Sequence, residues 1–415
     1  MSTDPVVHFR EVATTRSRCF WLDGGGAREW SGRRSVIGWL DEDDVSLTYD
    51  AVARRVTRHR GGRAEVVGDD IFAALEGELA AGEAGDQWFG YLGYAARPDL
   101  PARLPAPGGL PDAVWMRPRH VRLFDHPPVA RAADPVAGVP DVAVPDSYGA
   151  AFARVQEHLH AGNTYEANLT YRLDRESDLD PVTAYLRLRE LNPAPYAGFL
   201  QHDVPGHRAW LLSSSPERYA LVTADRQLET KPIKGTTPRG ATPAEDALLR
   251  ERLRTEPKFR SENLMILDLL RNDLSMVCDP GTVEVPVLME VESYRSVHQL
   301  VSTVRGRLRD DVSTVRALHA LFPAGSMTGA PKLRTMAVIE EVESSPRGVY
   351  AGAFGWLAAD GRADLGVVIR SLVTGGNGSW SLGTGGGITV RSDPAEEYAE
   401  SRWKAERLLR VFDQG

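Results

Sequence analysis

Only two cysteines, Cys19 and Cys278, occur in 415 residues, far apart and without metal-ligand spacing. That argues against a disulfide framework or a cysteine metal cage and suits a reducing cytoplasm. No uncharged apolar run approaches the ~20 residues a membrane span needs, and the start, MSTDPVVHFR, lacks the apolar stretch of a secretory signal. The expected location is cytoplasmic. Positive charge is not in excess: 49 Lys plus Arg against 57 Asp plus Glu give a net charge of −8. A general nucleic-acid or anionic-membrane binder is therefore disfavoured, although a local basic pocket for a small anion remains open. GSMTGAPK, at residues 325–332, has neither the spacing of a P-loop nor a Ser or Thr after its lysine. Neither cysteine lies in a G-x-C-x-G context, so no glutaminase unit of the Cys-His-Glu kind is present.

With 42% hydrophobic residues, the chain can build a substantial core, as one intertwined domain or two ordinary ones. Residues 1–145 read as a first unit. Short strand candidates at Cys19–Leu22 and Ser35–Leu40, broken by Gly24-Gly25-Gly26, suggest antiparallel sheet. Asp70–Ala81 has the spacing of an amphipathic helix, and the glycines of Phe89-Gly90-Tyr91-Leu92-Gly93-Tyr94 suggest a strand closely approached by another backbone. From Arg97 to Pro145 the chain is rich in Pro, Ala and Gly, interrupted by one strand-like run from Ala113 to Phe124. The second Pro-rich stretch reads as a linker, with the boundary near Ser147.

Residues 146–415 form the second unit. Ser147 is expected to cap a helix reaching His160, followed by a strand at Tyr165–Tyr171, a helix at Pro181–Glu190 and a strand at Ala209–Ser213. Strands and helices mix without strict alternation, so the fold class is α+β.

Several residues of this unit could carry chemistry. Lys234, in Lys231-Pro232-Ile233-Lys234-Gly235-Thr236-Thr237-Pro238, follows a strand-like run and precedes a turn. Partly desolvated, it would hold more free amine and could act as a nucleophile; a surface lysine in a salt bridge is the plainer reading. Glu217 follows Ser-Pro at a strand end, where a carboxyl can project into a cleft. Glu262 lies early in a helix, Glu397 and Glu400 share a helix face, and Lys404 is one turn beyond Glu400. Each acid alone could equally decorate a solvated helix face; two glutamates from separate helices could also hold a hard cation such as magnesium. The glycine runs 325–332 and 383–387 offer backbone N–H groups to a carboxylate, or are tight turns.

SSSPER, TKPIKGTTPRG, ENLMILDLLRNDL, HQLVSTVRG, LFPAGSMTGAPK, GVYAGAFGW, IRSL, GTGGGITV and DPAEEYAESRWKAERLL occur in that order between Ser147 and Phe412. This order resembles the chorismate-utilising enzymes, the group containing anthranilate, aminodeoxychorismate, isochorismate and salicylate synthases. The resemblance implies an anthranilate-synthase-component-I-like fold of stacked antiparallel sheets flanked by helices. It implies magnesium held by Glu262 and Glu400, with Glu397 beside them. Phe259 stands where salicylate-type members carry a further glutamate, which leaves the ligand set open. Gly385, Gly386, Gly387, Arg370, Tyr350 and Lys404 resemble the groups that hold the substrate's carboxylates, and His298 and Thr328 match pocket-lining positions. Glu217 matches the general acid.

A lysine at the position of Lys234 resembles the branch that aminates chorismate at C4; anthranilate synthases usually carry alanine there. The implied reaction has Lys234 attack C2 as Glu217 assists loss of the C4 hydroxyl, after which ammonia adds at C4 to give 4-amino-4-deoxychorismate. The ammonia would come from a separate glutamine amidotransferase. Glu166 takes the place of a water-activating lysine in isochorismate- and salicylate-forming relatives, which implies a polar contact near the incoming nucleophile or a structural hydrogen bond. Anthranilate or 2-amino-2-deoxyisochorismate synthesis is the alternative within the group, and a chorismate-binding subunit without activity the alternative outside it.

Overall fold

In the computed structural model, which describes residues 4–26, 32–126, 142–295 and 297–413, two antiparallel sheets stack face to face with helices on their outer faces. Among the described residues the sheets have nine and twelve strands. Most of the expected Pro-rich linker falls at residues 127–141, outside those described. Among the described residues no helix is long and apolar enough to cross a membrane.

Side chains alternate across a strand, and Arg18–Asp23 shows how the layers use this. Phe20 faces the other sheet and stacks on Phe89 with ring centroids 4.0 Å apart. Its neighbour Trp21 faces outward, against Phe9 and Tyr185 of the helices Pro5–Thr15 and Pro181–Leu191. Leu200, Leu211, Tyr91, Val114 and Met116 complete the layer between the sheets. Helices Pro257–Ser275 and Thr314–Leu321 bury Ile266, Leu270 and Leu318 on the outer face of the larger sheet. Each such side chain contributes ~1.5–3 kcal/mol by leaving water.

Residues up to 125 supply one end of each sheet and residues from 166 onward the other end. The joints are Arg18–Asp23 on Tyr196–His202 in the smaller sheet, and Gln87–Leu92 on Ala353–Ala358 in the larger. The close approach expected at Phe89–Tyr94 is present: a Cβ on Gly90 would lie 2.0 Å from the Val114 carbonyl oxygen.

Three local expectations are corrected. The single run from Ala113 to Phe124 is two strands, Ala113–Arg117 and His120–Asp125, in different sheets. Pro118 between them has no N–H to continue a ladder, and the chain crosses over there. The helix after the linker is Asp146–His160, with Pro145 rather than Ser147 at its N-cap position and no side-chain cap, and with the Asp146 carboxylate favoured in its first turn. The expected turn after Lys234 is itself a strand, Ile233–Pro238, paired with Val297–Arg307.

Candidate active site

The register of that pairing shifts between Ile233 and Thr236, so Lys234 and Gly235 form an irregularity that re-aims the lysine. Gly235 adopts φ +94°, a left-handed conformation that glycine tolerates, and a Cβ there would press on Leu253 and Phe259. Lys234 is thereby turned into a cavity of about 120 Å³, walled by the strands Ile233–Pro238 and Ser379–Ile388 and the helices Pro257–Ser275 and Pro394–Leu409. A single water takes ~10–15 Å³ on the same measure, so the space suits a small molecule.

The glycines at residues 383–387 are not a turn; they lie in a strand paired with Glu166–Glu176. Their missing side chains make room for the polar groups around them. A Cβ on Gly386 would sit 3.3 Å from Glu397 Oε2, and one on Gly387 would sit 2.4 Å from Glu166 Oε1 and 3.1 Å from Lys234 Nζ.

Lys234 Nζ donates to Glu166 Oε1, and both residues are buried. The expectation of a partly free amine is corrected for this state. Burial opposes the ammonium, but Glu166, Glu262 and Glu217 outweigh it and raise the lysine's pKa above its ordinary value. Glu217, in the link between Ala209–Ser215 and Arg218–Val222, has its pKa pushed up to about 7 by burial, against hydrogen bonds from Ser326 and the Ile233 N–H and the charge of Lys234. A carboxyl poised there is protonated often enough near neutral pH to serve as an acid.

Glu262, Glu397 and Glu400 line the same cavity. Lys258 Nζ lies 2.9 Å from Glu397 Oε1 and Lys404 Nζ 2.8 Å from Glu400 Oε1. Burial pushes the Glu262 carboxyl up to about 8, and its Oε1 is buried without a hydrogen-bond partner. Among the described residues no three His, Cys, Asp or Glu side chains already form a metal cage. An all-oxygen set with one orphaned atom nevertheless fits a hard cation, which keeps water or substrate oxygens in its remaining positions.

Arg370 and Tyr350 also line the cavity, and Lys404 Nζ donates to the Gly385 carbonyl at 3.3 Å. Arg370 sits at φ +49°, where the chain passes from Ala363–Val367 in the larger sheet to Ser371–Thr374 in the smaller. Its carbonyl accepts from the Ser214 N–H at 3.1 Å and the Ser214 hydroxyl at 2.7 Å. Such a conformation costs about 1–2 kcal/mol for a residue with a Cβ and is held by its surroundings.

His298 and Thr328 are not among the lining residues; their neighbours Gln299 and Met327 are. Along Val297–Arg307 successive side chains point to opposite faces, so His298 turns away, to Asp246 Oδ1 at 3.0 Å and Ser293 Oγ at 2.8 Å. The buried Thr328 hydroxyl donates to the Gly325 carbonyl at 3.2 Å. Sequence reasoning passed over Lys258 and Ser326. Lys258 stands four residues before Glu262, a helical spacing that could have flagged it.

The chorismate binding enzyme family matches residues 17–410. An aminodeoxychorismate synthase of Streptomyces pristinaespiralis is 41% identical over 95% of this chain and 62% of its own length. An aminodeoxychorismate synthase component 1 of Escherichia coli is 40% identical over 65% of this chain and 58% of its own length. The chain thus spans about three fifths of these curated relatives. The crystal structure of anthranilate synthase component I from Streptococcus pneumoniae superposes with a TM-score of 0.74 at 25% identity, covering 91% of this chain and 92% of that one. By its family match and its stacked-sheet fold, the chain belongs to the chorismate binding enzymes.

Proposed function

We propose that the chain converts chorismate and ammonia to 4-amino-4-deoxychorismate, on the route to p-aminobenzoate, in the cytoplasm. The observation that carries this reading is Lys234, buried on a strand irregularity in the wall of a cavity it shares with Glu217. In the first step the lysine nitrogen bonds to C2, the ring double bonds shift, and the C4–O bond breaks. Glu217 gives its proton to the departing hydroxyl, which leaves as water. In the second step ammonia bonds to C4 and the C2–lysine bond breaks. Two easier displacements replace one difficult one.

Arg370, Tyr350, Lys404 and the backbone of residues 385–387 orient the substrate's carboxylates, the guanidinium fork of Arg370 matching one of them bidentately. Glu262, Glu400 and Glu397 would hold magnesium, which when bound neutralises a carboxylate of the substrate. The ammonia comes from a separate glutamine amidotransferase; the E. coli relative's name, component 1, supports a partner subunit.

The test is a mass-spectrometric product assay with chorismate, magnesium and ammonium chloride. Wild type should form aminodeoxychorismate and Lys234→Ala should not. Anthranilate or 2-amino-2-deoxyisochorismate from wild type would overturn the C4 assignment, and no consumption of chorismate would overturn the activity.

A further inference from the structure

The Lys234 amine can attack only without its proton, yet in the structure it donates to a carboxylate. The same step needs Glu217 to arrive protonated and release that proton to the leaving hydroxyl. One carboxyl cannot take a proton and give one in the same step, so a second is required.

We infer that Glu166 is the proton acceptor that frees the Lys234 amine for attack and returns the proton when the lysine is released; this rests on the function proposed above. Glu166 is fully buried and touches Lys234 Nζ through Oε1, while its Oε2 has no hydrogen-bond partner. Buried away from water, the carboxylate has little besides the ammonium to stabilise its charge, so transfer to a neutral pair costs far less than separating the two charges. Gly387 supplies the space, since a Cβ there would lie within 2.4 Å of Glu166 Oε1.

The protons balance. At rest the site holds the lysine ammonium, the Glu166 carboxylate and the Glu217 acid. After the first step it holds a secondary ammonium joining Lys234 to C2, the Glu166 acid, the Glu217 carboxylate and water. Ammonia then bonds to C4 and expels the lysine as a neutral amine. The new C4 ammonium returns a proton to Glu217, Glu166 returns its proton to Lys234, and the resting site is restored.

The experiment is rapid-quench mass spectrometry of the intact protein with chorismate and magnesium, without ammonia, between pH 6 and 9. Wild type should accumulate the lysine adduct. Glu166→Gln should form it at least ~100-fold more slowly than wild type at pH 7. Its rate relative to wild type at the same pH should recover about tenfold per pH unit as solvent removes the proton instead, the loss of the Glu217 acid form above pH 7 being common to both. Glu166→Asp, which keeps a carboxylate, should recover part of the rate at pH 7, and chorismate KM should stay near wild type in both variants. A structural role would not produce the pH-dependent recovery. A wild-type adduct formed equally fast in Glu166→Gln, or slowed by the same factor relative to wild type at every pH, overturns the inference alone. No adduct in wild type overturns both the inference and the covalent step of the proposed function.

Discussion

Lys258 Nζ lies 2.9 Å from Glu397 Oε1, so a protein cation already stands on one of three carboxylates that converge on the cavity. A divalent ion bound there, as proposed above, would compete with that ammonium for the same negative field. Lys258→Met is therefore expected to lower the magnesium dissociation constant several-fold, by removing an opposing charge of order 1 kcal/mol at this partly screened site. Titration calorimetry of the purified protein checks it; a weaker affinity would show that Lys258 helps to build the site, and an unchanged one that it does not oppose the ion.

Glu217 makes the site sensitive to pH. Burial raises its folded-state pKa to about 7 from the ordinary value of 4.5, so the fold favours the protonated form. The corresponding stability is present below about 4.5, is lost as pH rises through about 7, and stays lost above it. The rate constant kcat/KM should fall above pH 7 by up to about tenfold per unit as the acid form disappears. Glu217→Gln should abolish turnover yet gain up to ~3 kcal/mol over wild type at pH 8, with little gain at pH 4.5. Thermal melts at the two pH values decide it.

Gly387 and Gly386 differ sharply in the room they leave. A Cβ on Gly387 would lie 2.4 Å from Glu166 Oε1, whereas one on Gly386 would meet nothing closer than 3.3 Å. Gly387→Ala should cut kcat by at least ~100-fold by displacing the buried pair, a misplacement of about 1 Å being enough. Gly386→Ala should keep most of the activity. Equal effects in steady-state assays would refute this geometry.

His298 and Gln299 occupy opposite faces of one strand. His298→Asn should leave kcat within ~2-fold of wild type while costing about 1–3 kcal/mol through its lost contact with Asp246. Gln299→Ala, on the cavity side, should raise the KM for chorismate. A loss of kcat in the histidine variant with unchanged stability would reverse the assignment.

What the sequence carries openly is whatever a short segment decides by itself. The helix expected at Asp70–Ala81 from its apolar spacing forms at Ile71–Ala81, and Asp70 caps it by accepting from the N–H groups of Phe72 and Ala73. Lys404 meets Glu400 because residues one turn apart on a helix are neighbours. What the sequence hides is decided across the chain. Glu166 and Lys234 are 68 residues apart, and no local pattern says that they touch. The direction His298 faces depends on strand parity, which a bulge anywhere along the strand can reverse, and this strand's pairings carry such shifts. Lys234 was legible as a chemically suggestive lysine; its charge state depends on three carboxylates brought from other segments.

The way the two sheets are completed also bears on how the chain can be cut. A fragment beginning at residue 146 would keep every residue that lines the cavity, but it would lose the strands that cover Tyr196–His202 in one sheet and Ala353–Ala358 in the other. Both would become raw edges, each with a row of open N–H and C=O groups. Such edges pair with whatever strand they meet. On this reasoning the amino-terminal strands would shield both edges from self-association, and a fragment beginning at residue 146 should precipitate rather than work alone.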